Sequence, residues 1–333
     1  MHRLVVIGAS AGGIEALREI VAGLPGDFPA PICVVIHTAP QSPGLLPDIL
    51  SRAGALPAVT ARDHQRLAAG RIFVPPPDCH MIVEPDRLRI TKGPTENRFR
   101  PAIDPLFRSA AQVYGPAAIG VILTGSLDDG TAGLWAIRRL GGIAIVQDPA
   151  DALFPSMPES ALTHVGADHR VPLTGIASLL VGLTREPSAD EEGGPVPDHI
   201  NVEVNIAKGQ HPLDAGLEQI ADPSPYACPE CHGVLLRLKQ EGHVRFRCHT
   251  GHAYSIESLL AAIRHGIEES LWNSIRALEE GGLLLRHMAD HLGHAAQPGE
   301  IAPLTTAAQE MRQHSDTIRK VAAALAPQTI ADV

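Results

Sequence analysis

Short apolar runs alternate with helix-length amphipathic segments from the start of the chain to about residue 184. We interpret as strands the runs at residues 4–7, 32–36, 71–74, 118–124 and 142–147. Two further short runs, 81–83 and 87–90, flank a turn and predict a hairpin inserted into this pattern. Strands that alternate with helices are typical of an α/β fold. We therefore expect a mostly parallel, doubly wound sheet, with the hairpin adding antiparallel pairing.

The pattern changes after residue 185. An acidic stretch rich in Pro and Gly predicts a linker at 186–224 that separates a first domain, 1–185, from the rest. A compact Cys/His segment at 225–254 predicts a small zinc-ribbon-like module. Apolar residues at helical spacing over 256–278 and 304–325 predict a helical hairpin at 255–326 that covers its own apolar stripes. A homodimer through a coiled coil of these helices is the alternative.

Composition excludes several classes of protein. With 333 residues, 44% hydrophobic and 19% charged, the chain is long enough for more than one globular domain. No apolar run reaches the ~18 residues of a membrane span, so we expect no membrane insertion. The net charge of −10 gives little support for nucleic-acid binding. Five cysteines and an N-terminal apolar run too short for a signal peptide favour the cytoplasm.

The first strand leads into a glycine-rich turn, GASAGG at residues 8–13, and then a helix. One interpretation is a dinucleotide-binding turn, but Ser10 replaces the middle glycine and the second strand ends in His37 instead of an acid. The other is a nucleophile elbow that lifts the Ser10 hydroxyl to the carboxyl edge of the sheet. His37 ends a neighbouring parallel strand at the same edge, where it can act as general base.

A third strand, 118–124, is followed by Asp128 and Asp129. An acid at this point can simply cap the next helix. Together, however, three strand ends that supply a serine, a histidine and an aspartate predict a Ser10–His37–Asp129 triad. Their order along the chain differs from that of α/β-hydrolases, so the likeness to that fold is limited to the elbow.

These residues resemble the catalytic domain of bacterial chemotaxis protein-glutamate methylesterases of the CheB type. The resemblance covers residues 3–183 and rests on GASAGG at 8–13, His37 with Pro40, NRFRPAID at 97–104, LTG at 123–125, DG at 129–130 and MP at 157–158. It implies hydrolysis of glutamate methyl esters on chemoreceptors, with possible deamidation of receptor glutamine, without a cofactor for catalysis. The expected partner is a methylated chemoreceptor or a related sensor.

The resemblance also assigns roles. It makes Ser10 the nucleophile, His37 the base and Asp129, the acid directly before glycine, the group that orients His37. The backbone N–H groups of Ala11 and Ser126 become oxyanion donors, and Arg98 and Arg100 become candidates for substrate binding.

The sequence departs from the family pattern at three points. Ala11 stands where the family usually has Thr, and Ser126-Leu127-Asp128 stands where it usually has Met-Gly-Asn. The catalytic strand begins at residue 4. We therefore expect a stand-alone catalytic domain that lacks the family's phosphorylatable receiver domain.

The Cys/His segment has the spacing C-x2-C-x16-C-x3-H. Two such knuckles on a hairpin predict a structural zinc site formed by Cys228, Cys231, Cys248 and His252, with His249 as the alternative fourth ligand. Because the predicted linker separates this site from the triad, we expect metal removal to spare catalysis.

Two other functions remain open from sequence. A non-catalytic signalling scaffold would use the zinc and helical tail to recruit a partner, and another serine hydrolase would act on a different ester or amide. A scaffold has no need of Ser10, His37 and Asp129 together, so the sequence favours an enzyme.

Overall fold

The first half of the chain forms a sheet of seven parallel strands. The computed structural model describes residues 3–186, 194–239, 243–292 and 298–325. The sheet is formed by β1 (Leu4–Ala9), β2 (Ile32–Ile36), β3 (Ala58–Thr60), β4 (Ile72–Val74), β7 (Ala118–Ile122), β8 (Ile143–Gln147) and β9 (His169–Val171). Their order is β3-β4-β2-β1-β7-β8-β9, and every pair is parallel. The strand order reverses between β1 and β7, the kind of position where such sheets bind ligands at their carboxyl ends.

Helices cover both faces of this sheet, as its apolar strands require. The six helices of this part are α1 (Gly13–Ala22), α2 (Leu46–Ala53), α3 (Ile103–Tyr114), α4 (Thr131–Arg139), α5 (Ser156–His164) and α6 (Leu173–Arg185). Helices α1, α2 and α6 share one apolar core with Val5 and Ile7, while α3, α4 and α5 share the other with Leu4 and Val6. The predicted doubly wound α/β fold is confirmed.

The predicted hairpin, β5 (His80–Glu84) and β6 (Arg87–Thr91), forms a separate two-stranded sheet. Met81, Val83 and Leu88 of the hairpin are buried in the core formed by α3. The expectation that the hairpin would add antiparallel pairing to the main sheet was wrong, because its apolar side chains pack against a helix instead of extending the strand ladder.

The segment predicted as a linker is partly folded. Helix α7 (Asp198–Ala207) buries Ile200 and Val204 in the same core as α3, and the short α8 (Leu217–Ile220) follows. The Thr91 hydroxyl donates to the Ala207 carbonyl at 2.8 Å. The acidic, Pro-rich composition applies to the first part of the segment, whereas the spaced apolar residues after Pro197 are sufficient to bury one face of a helix.

After α8 the chain forms a four-stranded antiparallel sheet. Its strands, in spatial order, are β10 (Ala221–Ala227), β11 (Val234–Leu238), β12 (Arg245–Cys248) and β13 (Ala253–Ser255). We call residues 221–258 the C-terminal module. It lies within the first of two compact units, Met1–Leu259, together with the parallel sheet.

The second unit, Leu260–Val333, contains the rest of α9 (Ile256–Leu292) and α10 (Pro298–Ala324). The two helices pack together, with Ile275 and Ala308 buried, and form the predicted hairpin. Arg319 and Ser315 of α10 bind Glu279 of α9. Large apolar side chains such as Ile267, Leu284 and Met288 stay exposed, so the hairpin does not cover all of its apolar surface. Of the helices described, none is both long and apolar enough to cross a bilayer.

A buried ionic cluster joins the C-terminal module to the parallel-sheet part. Its members are Glu96, Arg108, Glu203, Arg245 and Arg247, whose side chains are at most 2% exposed. Arg245 binds both oxygens of Glu203, at 2.6 and 2.8 Å, and Arg247 donates to Glu96 and Glu203, each at 2.8 Å. The module therefore supplies two of the three cations that neutralise these buried acids.

The arginines of the cluster shift the pKa of Glu96. Burial acts to raise the pKa of Glu96, but the charges of Arg108, Arg247 and Arg245 outweigh it and lower that pKa to about 2. A carboxyl whose pKa is lower in the folded protein stabilises the fold at neutral pH. That stabilisation is lost as the pH falls from about 4.5 towards 2.

We expect Arg245→Met to lower the free energy of unfolding by about 3–5 kcal/mol, because it leaves Glu203 buried without its bidentate partner. Arg87→Met is the matched control, since Arg87 is 53% exposed and forms a surface ion pair with Glu84. Its effect should be about 0–1 kcal/mol. Urea unfolding monitored by circular dichroism measures both changes. Equal losses in the two variants would contradict the importance of the cluster.

Candidate functional site

Ser10 lies in the turn between β1 and α1. Its N–H donates to the Thr124 carbonyl at 3.0 Å, and its carbonyl accepts the N–H of Gly13 at 2.9 Å. Gly12 has a φ of 73°, a left-handed conformation that glycine adopts without strain. The tight turn leaves the Ser10 hydroxyl at the carboxyl edge of the sheet, half-buried, where the elbow interpretation predicts it.

His37 lies directly after β2 and bridges the other two predicted residues. Its Nδ1 lies 3.0 Å from the Ser10 hydroxyl and its Nε2 lies 2.7 Å from Asp129 Oδ2. An ionised carboxylate only accepts hydrogen bonds, so Nε2 carries the proton and Nδ1 presents a lone pair to Ser10. Phe99 stacks on the imidazole with ring centroids 3.7 Å apart, and the His37 side chain is only 4% exposed. The ring is thus fixed in orientation.

Asp129 is 1% exposed and is surrounded by donors. Besides His37 it accepts the N–H groups of Ile103 at 2.6 Å, Gly130 at 3.0 Å and Asp104 at 3.3 Å, and the Asn97 amide at 2.9 Å. Burial acts to raise the pKa of Asp129, but the hydrogen bond and charge of His37, with the Ile103 and Asn97 donors, lower it overall. Two of these donors belong to the first turn of α3, whose dipole also favours an anion.

Two other aspartates are buried beside this carboxylate. Burial and the nearby Asp129 raise the pKa of Asp104 to about 6. Burial and Glu257 raise the pKa of Asp128 well above its usual value, and its carboxyl accepts the Ser255 hydroxyl at 2.7 Å. Within the described part of the chain, neither makes a hydrogen bond to His37. Of the two adjacent acids predicted after β7, the structure therefore brings Asp129 to the imidazole.

Gly125 packs directly against Ser10. A Cβ atom on Gly125 would lie 2.8 Å from the Ser10 Cβ and 2.7 Å from the Met157 Cε, so only glycine fits there. Ser126 follows and is exposed. Among the described residues, the N–H groups of Ala11 and Ser126 donate to no other group. Both remain candidates for oxyanion donors.

The two arginines proposed for substrate binding differ in their surroundings. Arg100 donates to Asp78 at 2.7 and 2.8 Å and to the Gly93 carbonyl at 2.7 Å, which commits its guanidinium to the loop. Arg98 is exposed and has a φ of 74°. Arg98 is therefore the better candidate for contact with a substrate.

Sequence reasoning did not assign roles to Asn97 and Phe99. Asn97 donates to Asp129, and Phe99 stacks on His37. Both residues lie in the NRFRPAID segment that was used only as a family motif. Their distance along the chain from the residues they contact concealed these roles.

Cys228, Cys231, Cys248 and His252 form a cluster at the end of the C-terminal module, with their ligand atoms all within 4.8 Å of one another. His252 directs Nδ1 towards the cysteines, and its Nε2 lies 3.5 Å from Glu230. A Cβ atom on Gly233 would clash with the His249 ring, so His249 packs against the turn and not in the cluster. A carboxylate on the second nitrogen of a histidine is a common arrangement around metals.

Comparison with known proteins identifies the family. The sequence model of CheB methylesterases matches residues 5–180. The chain belongs to the CheB methylesterase family. It is similar to the crystal structure of the Thermotoga maritima CheB methylesterase catalytic domain, with a TM-score of 0.53 and 33% identity over 55% of this chain and 99% of that one.

Two curated relatives extend the comparison. A Leptospira interrogans protein, provisionally named protein-glutamate methylesterase/protein-glutamine glutaminase, is 38% identical over 55% of this chain and 95% of its own length. An Anaeromyxobacter dehalogenans protein-glutamate methylesterase/protein-glutamine glutaminase is 39% identical over 55% of this chain and 53% of its own length. Each of these similarities covers 55% of this chain, and the family model ends at residue 180, before the C-terminal module.

We expect Asp129→Asn to lower the rate of methyl-ester hydrolysis by about 10³- to 10⁴-fold, because an amide neither fixes the His37 tautomer nor stabilises the imidazolium. Asp128→Asn is the matched control. Burial and Glu257 raise the pKa of Asp128, which disfavours its charged form, and an amide oxygen can still accept the Ser255 hydroxyl. The rate of ester hydrolysis by this variant should therefore change less than about tenfold. Steady-state assays of both variants decide the question, and the reverse ranking would contradict the assignment of Asp129.

Proposed function

We propose that this protein hydrolyses the methyl esters of glutamate side chains in chemoreceptor-type signalling proteins and also deamidates glutamine. The observation that carries the proposal is the continuous hydrogen-bonded chain from the Ser10 hydroxyl through His37 to Asp129. The names of the two relatives, protein-glutamate methylesterase/protein-glutamine glutaminase, supply the reaction and the substrate class. A scaffold would need neither a hydroxyl at the sheet edge nor an oriented imidazole.

The geometry supports a two-step mechanism. His37 Nδ1 removes the proton from Ser10 as Oγ attacks the ester carbonyl, and the N–H groups of Ala11 and Ser126 stabilise the oxyanion. The tetrahedral intermediate expels methoxide, which takes the proton from His37 and leaves as methanol. Water, deprotonated by His37, then hydrolyses the ester on Ser10 to release the glutamate carboxylate. With glutamine as substrate, the first leaving group is ammonia.

Asp129 acts throughout on His37. It stabilises the imidazolium that forms in each step, and its own negative charge is maintained by the donors around it. No step requires a cofactor. Because residues 3–186 provide every group named in these steps, we assign catalysis to the domain predicted at 1–185. We place the reaction in the cytoplasm, with a methylated receptor as the substrate.

We further propose that Cys228, Cys231, Cys248 and His252 hold a structural zinc ion. Three thiolates and one imidazole form a preferred ligand set for tetrahedral zinc. Four protein ligands leave no coordination position for a substrate, so the metal stabilises the fold of the module. Glu230 would orient His252 through its Nε2.

Ser10→Ala should keep the fold and lower methanol release from methylated receptor fragments by about 10³-fold or more, since it removes the nucleophile. Ser178→Ala is the control, because this exposed hydroxyl donates to the Gly175 carbonyl of its own helix. Gas chromatography of released methanol measures both rates. Comparable turnover by Ser10→Ala would exclude the serine mechanism.

We expect about one zinc per chain in the purified protein. Cys231→Ala and His252→Ala should lose most of it, whereas Cys79→Ala and His249→Ala should retain it, because these two residues lie outside the cluster. Elemental analysis of the four variants measures the content. Zinc retained by His252→Ala and lost by His249→Ala would overturn the ligand assignment.

A further inference from the structure

The loop at residues 94–99 is hydrogen-bonded to the edge of the C-terminal module. The Asn97 N–H donates to the Ala253 carbonyl at 2.8 Å, and the Ala253 N–H donates to the Thr95 carbonyl at 3.2 Å. The loop thus pairs with β13 through a short parallel bridge between Glu96 and Ala253. The loop that carries Asn97 takes its position from the module.

The Asn97 side chain connects the module to the catalytic carboxylate. Its Nδ2 donates to Asp129 at 2.9 Å and to Asp104 at 3.1 Å. Its Oδ1 accepts the Ser255 N–H and the Ser258 hydroxyl, both at 3.0 Å. These four bonds use the two donors and both lone pairs of the amide, so its orientation is fixed. Two of the four come from the module.

The same loop is tied to the Cys/His cluster. The Thr95 hydroxyl donates to Glu230 at 2.6 Å, and Glu230 also accepts the Tyr254 hydroxyl at 2.7 Å. Glu230 lies between two of the cluster's cysteines in sequence and contacts His252. A change in the cluster therefore reaches Thr95, two residues before Asn97, through side chains in direct contact.

We propose that Asn97 is a positioning residue for Asp129 and that Ser255 and Ser258 of the metal-bound module hold Asn97 in place. Metal binding to the Cys/His cluster therefore controls the rate of ester hydrolysis. The inference rests on the proposed roles of Ser10, His37 and Asp129. It replaces the expectation that metal removal spares catalysis. A module with a purely structural role would affect stability and leave the His37–Asp129 hydrogen bond unchanged.

Ser258→Ala tests the link without removing the metal. It deletes one of the two donors to Asn97 Oδ1, and we expect kcat to fall roughly five- to tenfold with KM unchanged. The ¹H NMR resonance of the His37 proton shared with Asp129 should shift. The control is Ser270→Ala on the same helix, whose exposed hydroxyl donates to the Gly266 carbonyl one turn earlier. Unchanged kcat and an unchanged resonance in Ser258→Ala would overturn the role of Asn97.

Zinc removal and re-addition test the second half of the proposal. In the full chain stripped with a chelator, the His37 resonance should shift and kcat should fall, and both should return when zinc is restored. Thr95→Val, which keeps the ligands but breaks the bond to Glu230, should produce a smaller change in the same direction. Zinc-free protein with the native resonance and full kcat would overturn the control by metal.

The two proposals fail in different ways. Full activity in Ser10→Ala would refute the catalytic mechanism, whereas the His37 resonance in Ser258→Ala would still report whether the module positions Asp129. Loss of activity in Ser10→Ala, with no effect of Ser258→Ala or of zinc removal, would leave the mechanism intact and refute the coupling.

Discussion

A buried carboxylate has to be surrounded by donors, and in this protein the arrangement around Asp129 meets that requirement. Besides the N–H of the adjacent Gly130, the donors come from three sources: the first turn of α3, the imidazole of His37 and the amide of Asn97. Each fixes a different part of the structure relative to the end of β7. The Asp129 carboxylate thereby holds together the end of β2, the loop at 94–99 and the start of α3. Its hydrogen bond to His37 also sets the orientation of the imidazole.

The buried ionic cluster imposes a second constraint of the same kind. Glu96 and Glu203 have no access to water, so their charges require cations at short range. Arg108 comes from α3, while Arg245 and Arg247 come from the C-terminal module. The division of charges between the two parts means that neither is electrically balanced alone. The parallel-sheet part and the module are for this reason expected to fold as one unit.

The sequence predicts those features that depend on local patterns. Hydrophobic runs predicted five of the seven parallel strands, whereas the three-residue strands β3 and β9 were missed. Because parallel strands end at one edge, Ser10, His37 and Asp129 could be placed together. The cysteine spacing predicted the metal-ligand cluster. The contact of Asn97 with Ser255, the burial of α7 and the pairing of Glu96 with Arg245 and Arg247 join residues more than 80 positions apart. No periodicity or spacing contains this information, which is why a linker was expected where a packed helix lies.

The hydrogen-bond partners of residue 97 explain why an amide is needed between Asp129 and the C-terminal module. On one side it faces two carboxylates, Asp104 and Asp129, which only accept hydrogen bonds when ionised; on the other it faces the Ser255 N–H and the Ser258 hydroxyl, which donate. Aspartate would place a third carboxylate against the first two, and serine is too short to bridge both sides. An asparagine alone presents donors and acceptors in opposite directions at this length. A single side chain therefore connects the C-terminal module to Asp129.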